Sequence, residues 1–257
     1  MSVIQSVTKN SLQVRILASR KALGADAAAD AGNALRDLLQ RKDTVHMIFA
    51  AAPSQNEFLA ALCREPDIDW RRVRAFHMDE YVGLPVDAPQ RFGNYLKAHI
   101  FGRLPFLSVD YLNPDSLAST ATECDRYAAL LQRYPADIVC MGIGENGHVA
   151  FNDPHVADFN DPAWVKQVDL DAACRRQQVN DGCFATIDEV PTHALTLTIP
   201  VLMRAAALFC MVPGRTKAQA VWHTLHDPVS ESVPATCLRL HPQATLYVDA
   251  DSAPVSE

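Results

Sequence analysis

The chain has 257 residues, 49% of them hydrophobic, with 23 Lys plus Arg against 30 Asp plus Glu for a formal net charge of −7. That length buries a substantial core, and the acidic balance excludes broad electrostatic attraction for nucleic acid or an anionic membrane, so an anionic ligand must meet locally placed cations. The seven cysteines (Cys63, Cys124, Cys140, Cys174, Cys183, Cys210 and Cys237) are odd in number, widely spaced and free of any Cys-x-x-Cys pair, which reads as reduced-thiol usage and argues against a zinc ribbon or a thioredoxin-like centre.

The amino terminus, MSVIQSVTKN, lacks the basic start and apolar core of a signal peptide, and no apolar run reaches the length of a membrane span, so a cytoplasmic location is expected. From Ser19 to Arg41 an Ala/Leu-rich pattern with interspersed charges predicts an amphipathic helix, and Val45 to Phe49 a buried strand. After the turn Ala50-Ala51-Ala52-Pro53, Ser54 followed by Glu57 has the spacing of a capping box for a helix from Gln55 to Cys63. Arg74 to His77 reads as the next strand, ending in an acidic turn Met78-Asp79-Glu80-Tyr81, and Arg91 to Phe101 as a helix. Further on, Ala121 to Arg133 reads as helix, Asp137 to Met141 as strand, Ala206 to Val212 as strand and Thr216 to Leu225 as helix. No linker, repeat or low-complexity segment interrupts this order, so one domain over 1–257 is expected. Alternating strands and helices predict an α/β fold, a doubly wound, mostly parallel sheet with helices on both faces and its ligand at the carboxyl ends of the strands.

Asp79, His148 and Lys217 each follow the end of a predicted strand. Asp79 and Glu80 are adjacent, so only one need face a crevice, where it would serve as a base; the alternative is a pair of solvated turn residues or a cap of the next helix. In the stretch Asp137 to Pro154, Gly142, Gly144 and Gly147 free the backbone for a close ligand approach, and His148 can exchange a proton near neutral pH with Asp153 near enough to orient its ring. Alternatives at this turn are a buried, satisfied histidine, a metal site from His148, Asp153 and His155, and a dinucleotide loop. The last fits poorly because His stands where a helix should start. Pro213 to Lys217 places a hydroxyl and two cations at a helix start, a phosphate anchor or an ordinary cap with surface cations.

Together, HMDEYVGLP at 77–85, GIGENGHVAFNDP at 142–154 and PGRTKAQAV at 213–221 resemble the glucosamine-6-phosphate deaminase (isomerase) family. The resemblance runs from about Val45 to Val248. It implies a Rossmann-like fold and conversion of an amino-sugar phosphate, glucosamine 6-phosphate by default, to a ketose phosphate and ammonia, with no metal or organic cofactor. By that resemblance Asp79 is the base moving a proton from C2 to C1, His148 opens the ring, Asp153 orients His148 where the family usually has Glu, and Asn146 occupies a position that is Asp in some members. Lys217 matches the phosphate-binding lysine, and oligomers are common in the family. Ser54, Gln55, Gly144 and Gly147 fall in the corresponding binding loops.

Two departures stand in the phosphate half. The family's Gly-Gly-Thr/Ser-Pro cradle is replaced by Ala52-Pro53-Ser54-Gln55, where proline removes one N–H donor, and Cys183 stands where the family often has a phosphate-binding Arg, with Arg91, Arg175 and Arg176 as candidate substitutes. The related 6-phosphogluconolactonases offer a hydrolase alternative, although Phe151-Asn152-Asp153 points away from it. A sugar-phosphate-binding protein without turnover is the third reading.

Overall fold

The computed structural model describes residues 3–115 and 119–253. An antiparallel hairpin of β1 (Val3–Lys9) and β2 (Leu12–Leu17) precedes α1 (Arg20–Leu39), whose first turn is capped by the Ser19 hydroxyl accepting from Ala22 N at 3.2 Å. There follow β3 (Val45–Phe49), α2 (Asn56–Leu62), β4 (Val73–His77), β5 (Asp79–Tyr81), α3 (Phe92–Leu96) and β6 (Ser108–Asp110). The second half runs through α4 (Thr120–Arg133), β7 (Ile138–Met141), β8 (Val165–Asp169), α5 (Ala172–Asn180), β9 (His193–Leu197), α6 (Ile199–Leu202), β10 (Ala207–Val212), α7 (Ala218–His226) and β11 (Ala244–Asp249).

Eight strands form one sheet in the order β1-β2-β11-β10-β7-β3-β4-β6, parallel throughout except for the β1–β2 hairpin. The central strands are apolar on both sides. Along β3, Val45, Met47 and Phe49 pack into one core with α1 and α2, while Ile48 turns into a second core with Tyr127 and Leu131 of α4 and Val221 of α7. Both faces are therefore covered by helices, as the alternating order predicts.

A second, antiparallel sheet, β5-β9-β8, lies outside the sequence expectation. The residues read as an acidic turn are instead a buried strand: Asp79 to Tyr81 pair with Ala194 to Thr196, and Leu197 N donates to Met78 O at 2.8 Å. The capping box also fails to form. Residues Pro53–Gln55 make a single 3-10 turn, α2 begins only at Asn56 with no side-chain cap, and Glu57 pairs with Arg20 at 3.1 Å. Among the described residues no helix is long and apolar enough to cross a membrane, and all seven cysteines are free.

Candidate active site

From β3 the chain continues outward through β4 to β6, whereas from β7 it continues the other way through β10 to β11, so the winding reverses between β3 and β7. Loops leaving neighbouring strand ends diverge at such a point and leave a crevice. A crevice of about 520 Å³ lies there, walled by Ala50 to Ala52, Ser54 and Gln55 after β3, Gly142 to Gly144 and His148 after β7, and Lys217 after β10. Met78, Asp79, Phe92, Ala150, Phe151, Gln177 and Gln178 complete it.

Adjacent side chains of a strand point to opposite sides, and β5 uses this to separate its two carboxylates. Asp79, 6% exposed, faces the crevice, and its carboxylate makes no hydrogen bond among the described residues. Burial, with the neighbouring Glu80 charge adding to it, holds its pKa well above the usual carboxylate range. Its backbone is fixed by His77: Leu112 N donates to His77 Nε2 at 2.9 Å, so Nδ1 carries the proton and donates to the Asp79 carbonyl at 2.9 Å. Burial pushes the His77 pKa down to about 4, with Arg91 acting in the same direction, which keeps that tautomer neutral.

Glu80 points away, towards the start of α3. Its Oε1 accepts from Tyr81 N and Phe92 N, both at 3.0 Å, and its Oε2 from Gly93 N at 2.9 Å. Burial raises its pKa to about 7 against the opposing pull of those amides and of Arg91. The structure therefore gives Glu80, expected beside Asp79 in the chemistry, the work of a helix cap. Arg91, expected as a phosphate ligand, is 4% exposed behind the crevice wall between Glu80 at 3.9 Å and Asp115 at 3.7 Å.

On the opposite wall, His148 Nδ1 lies 2.9 Å from Asp153 Oδ1 and 2.7 Å from Asn146 Oδ1, and Asn146 Nδ2 donates to Asp153 Oδ1 at 2.9 Å. Both neighbours of Nδ1 are acceptors, so Nδ1 carries the proton and Nε2 is left as the free acceptor of the ring. Burial raises the Asp153 pKa, but the hydrogen bonds and charge of His148, with Asn146 and Cys174, outweigh it, and the carboxyl stays below its ordinary value. The turn beneath is pinned: Ala150 adopts φ 51°, Phe151 N donates to Thr196 Oγ1 at 3.1 Å, and Asn152 Nδ2 donates to Val149 O and Leu197 O. His148, Asp153 and Cys174 place ligand-type atoms within 4.8 Å of one another, yet the Nδ1 side of the ring is already directed at oxygen acceptors. His155, a candidate ligand by sequence, is exposed and contacts Asp169 O at 3.2 Å.

Lys217 is 4% exposed, lines the crevice and makes no hydrogen bond or ion pair among the described residues. Burial lowers its pKa, opposed by Asp181 and Glu145. It is reached through Gly214, whose φ of 96° suits glycine and whose N donates to Asp249 Oδ1 at 3.0 Å.

A sequence profile of the family described as glucosamine-6-phosphate isomerases/6-phosphogluconolactonase matches residues 18–247. The chain belongs to that family. Glucosamine-6-phosphate deaminases of Bacillus thuringiensis (strain Al Hakam) and Bacillus cereus (strain AH820) are each 34% identical over 226 residues, 87% of this chain and 83% of the relative. A solved structure of a monomeric glucosamine-6-phosphate deaminase aligns with TM-score 0.84 and 26% identity, covering 93% of this chain and 98% of that one. The 6-phosphogluconolactonase from Thermotoga maritima aligns with TM-score 0.74 at 20% identity, over 92% and 98% of the two chains, and shares the fold.

Within this isomerase/lactonase family scaffold, the remaining expected cations are placed away from the crevice. The Arg175 guanidinium donates to Ile187 O and Val190 O, Arg176 is exposed on α5, and Cys183 is half-buried in an adjoining pocket of about 690 Å³. Gly147, with φ 83°, packs against Val233 and faces a different cavity together with Asn146. Sequence reading missed Gln177 and Gln178. Gln177 accepts from Glu145 N at 2.7 Å, and Gln178 brings a buried amide to the crevice wall. Glutamines on a helix carry no motif, and only the fold brings α5 to this wall.

Proposed function

We propose that this chain is an amino-sugar-phosphate deaminase/isomerase, converting glucosamine 6-phosphate or a related hexosamine phosphate to a ketose phosphate and ammonia. The observation that carries the reading is Asp79: a buried carboxylate with no partner of its own, aimed into the same crevice as His148 and an unpaired lysine. A desolvated carboxylate is a stronger base than one in water, which suits removal of a carbon-bound proton.

His148 Nε2 exchanges the ring-oxygen proton as the pyranose opens. Asp79 then takes the C2 proton of the open aldose amine and returns it to C1. The product is a ketose imine, and water adds to it and expels ammonia. Asp153 and Asn146 hold the His148 ring in one tautomer throughout. Lys217 holds the phosphate, supported by Ser54 and by Gln55, whose Nε2 is directed to Ser54 Oγ and Met211 O. The net charge and reduced cysteines support a cytoplasmic enzyme acting on a small molecule, with neither nucleic acid nor membrane as partner.

Ammonia release from a panel of hexosamine 6-phosphates tests the reading, with 6-phosphogluconolactone hydrolysis run alongside. Ammonia from one sugar supports it and names the substrate; lactone hydrolysis alone overturns it.

A further inference from the structure

The Asp79 carboxylate has no hydrogen bond among the described residues, so its direction follows from how the backbone at residue 79 is held. That backbone belongs to an edge strand, β5 of the sheet β5-β9-β8. Leu197 N donates to Met78 O at 2.8 Å and Val82 N to His193 O at 3.1 Å. Hydrogen-bonded and non-hydrogen-bonded pairs alternate along an antiparallel ladder, so Asp79, opposite Thr196, sits in a non-hydrogen-bonded pair. Its carbonyl therefore points away from β9, to the side where this sheet has no further strand, and a buried carbonyl needs a partner there.

The partner is the imidazole of His77. Its Nδ1–H donates to Asp79 O at 2.9 Å, and its Nε2 accepts from Leu112 N, just past β6, at 2.9 Å. His77 itself is anchored in the main sheet as the last residue of β4, where the Tyr127 hydroxyl of α4 accepts from His77 N at 3.0 Å and lies 2.9 Å from His77 O. The ring is 0% exposed, with the rings of Tyr111 and Tyr127 edge-on to it at 5.8 and 6.4 Å. Held at both nitrogens, this one ring ties the small sheet carrying Asp79 to the main sheet whose strand ends carry His148 and Lys217.

We propose that His77 is a positioning residue for Asp79: its Nδ1–H stands in for the neighbouring strand that β5 lacks and holds the carboxylate at its place across the crevice from His148 and Lys217. The inference rests on the role of base given above to Asp79, but its physical content is the placement of that carboxylate, which is measurable without turnover.

The test uses the isotopically labelled full chain and its His77→Asn, His77→Gln and His77→Leu variants. Nitrogen NMR of the parent protein, with the His77 signals assigned by their loss in His77→Asn, should show Nδ1 protonated and Nε2 bare; a proton on Nε2 instead overturns the proposal. The Asp79 carboxyl carbon resonance, assigned by its loss in Asp79→Asn, reads the placement itself. His77→Leu should shift it and lower kcat about 10–100-fold with KM little changed. His77→Asn, whose amide nitrogen reaches the position of Nδ1, should restore both. His77→Gln presents its amide at the Nε2 end and should behave as leucine does, which keeps the comparison available if the leucine variant does not fold. A parent-like resonance and kcat in His77→Leu or His77→Gln overturn the proposal, as does an asparagine variant no better than these two. If the resonance responds as expected but no hexosamine phosphate releases ammonia with the parent protein, the positioning stands and the deaminase reading fails.

Discussion

Gly144 lies directly against the ring of His148. A Cβ at position 144 would sit 2.1 to 2.4 Å from three ring atoms, closer than any real contact, while Gly144 N donates to His148 O at 2.9 Å. The backbone is thus committed and the ring is the part that must move. Gly144→Ala should leave the fold intact but swing the imidazole off Asp153, lowering kcat about 100-fold. A fully active Gly144→Ala variant would show that His148 does not need this position.

The second prediction separates proton transfer from folding at Asp79. Asp79→Asn should reduce solvent exchange at C2 of the substrate about 10²–10⁴-fold while ligand binding persists. Because burial raises the folded-state pKa, the ionised carboxylate costs stability at any pH above its unfolded value near 4. The Asn variant should therefore melt at least as high as the parent at pH 7, with that advantage gone below about pH 4. The same shift places the acidic limb of kcat/KM at a higher pH than an ordinary aspartate gives, and a limb near pH 4 would speak against Asp79 as the base.

Those placements explain what was legible in the sequence. Val45 to Phe49, Arg74 to His77, Asp137 to Met141 and Ala206 to Val212 are short, mostly apolar segments that become parallel strands of the main sheet, and Asp79, His148 and Lys217 follow three of them closely enough to share one crevice. Illegible elements are those made by tertiary pairing. Residues Asp79 to Tyr81 are strand only because β9 lies beside them, and β1, exposed along its whole length, carries no burial signal. The Ser54–Glu57 spacing misled because Pro53 opens a 3-10 turn and Arg20, distant in sequence, claims Glu57. Glu80 looks functional by motif, yet its carboxylate accepts from the amides at the start of α3, and Arg91, a candidate cation by sequence, lies behind the crevice wall at 3.9 Å from Glu80 and 3.7 Å from Asp115.

Lys217 is the third test. Its folded-state pKa is lowered by burial, so the charged amine costs stability at neutral pH, and the cost fades as pH rises towards the unfolded value near 10.4. Lys217→Met should therefore raise the melting temperature of the ligand-free protein at pH 7 and lose the difference above about pH 10. The same variant should raise KM for the sugar phosphate about 10–100-fold, the worth of one charge-assisted hydrogen bond, and abolish stabilisation by inorganic phosphate. Unchanged KM would place the anion elsewhere in the crevice.

Glu80 supplies the contrast to its neighbour. Both carboxylate oxygens are engaged as acceptors, Oε1 by two amides and Oε2 by Gly93 N, so an amide side chain can replace only one of them and turns an NH₂ group towards another donor. Glu80→Gln should cost about 1–3 kcal/mol of stability in denaturant unfolding. The Phe92 and Gly93 amides should exchange with solvent faster, because they are the freed donors at the start of α3. Since Phe92 also walls the crevice, the surviving folded enzyme should show a raised KM while keeping C2 proton exchange at saturating substrate. Asp79→Asn should do the reverse, losing exchange with the α3 amides still protected. If Glu80→Gln instead abolished exchange without loosening Phe92 and Gly93, the base would have to be reassigned from Asp79 to Glu80.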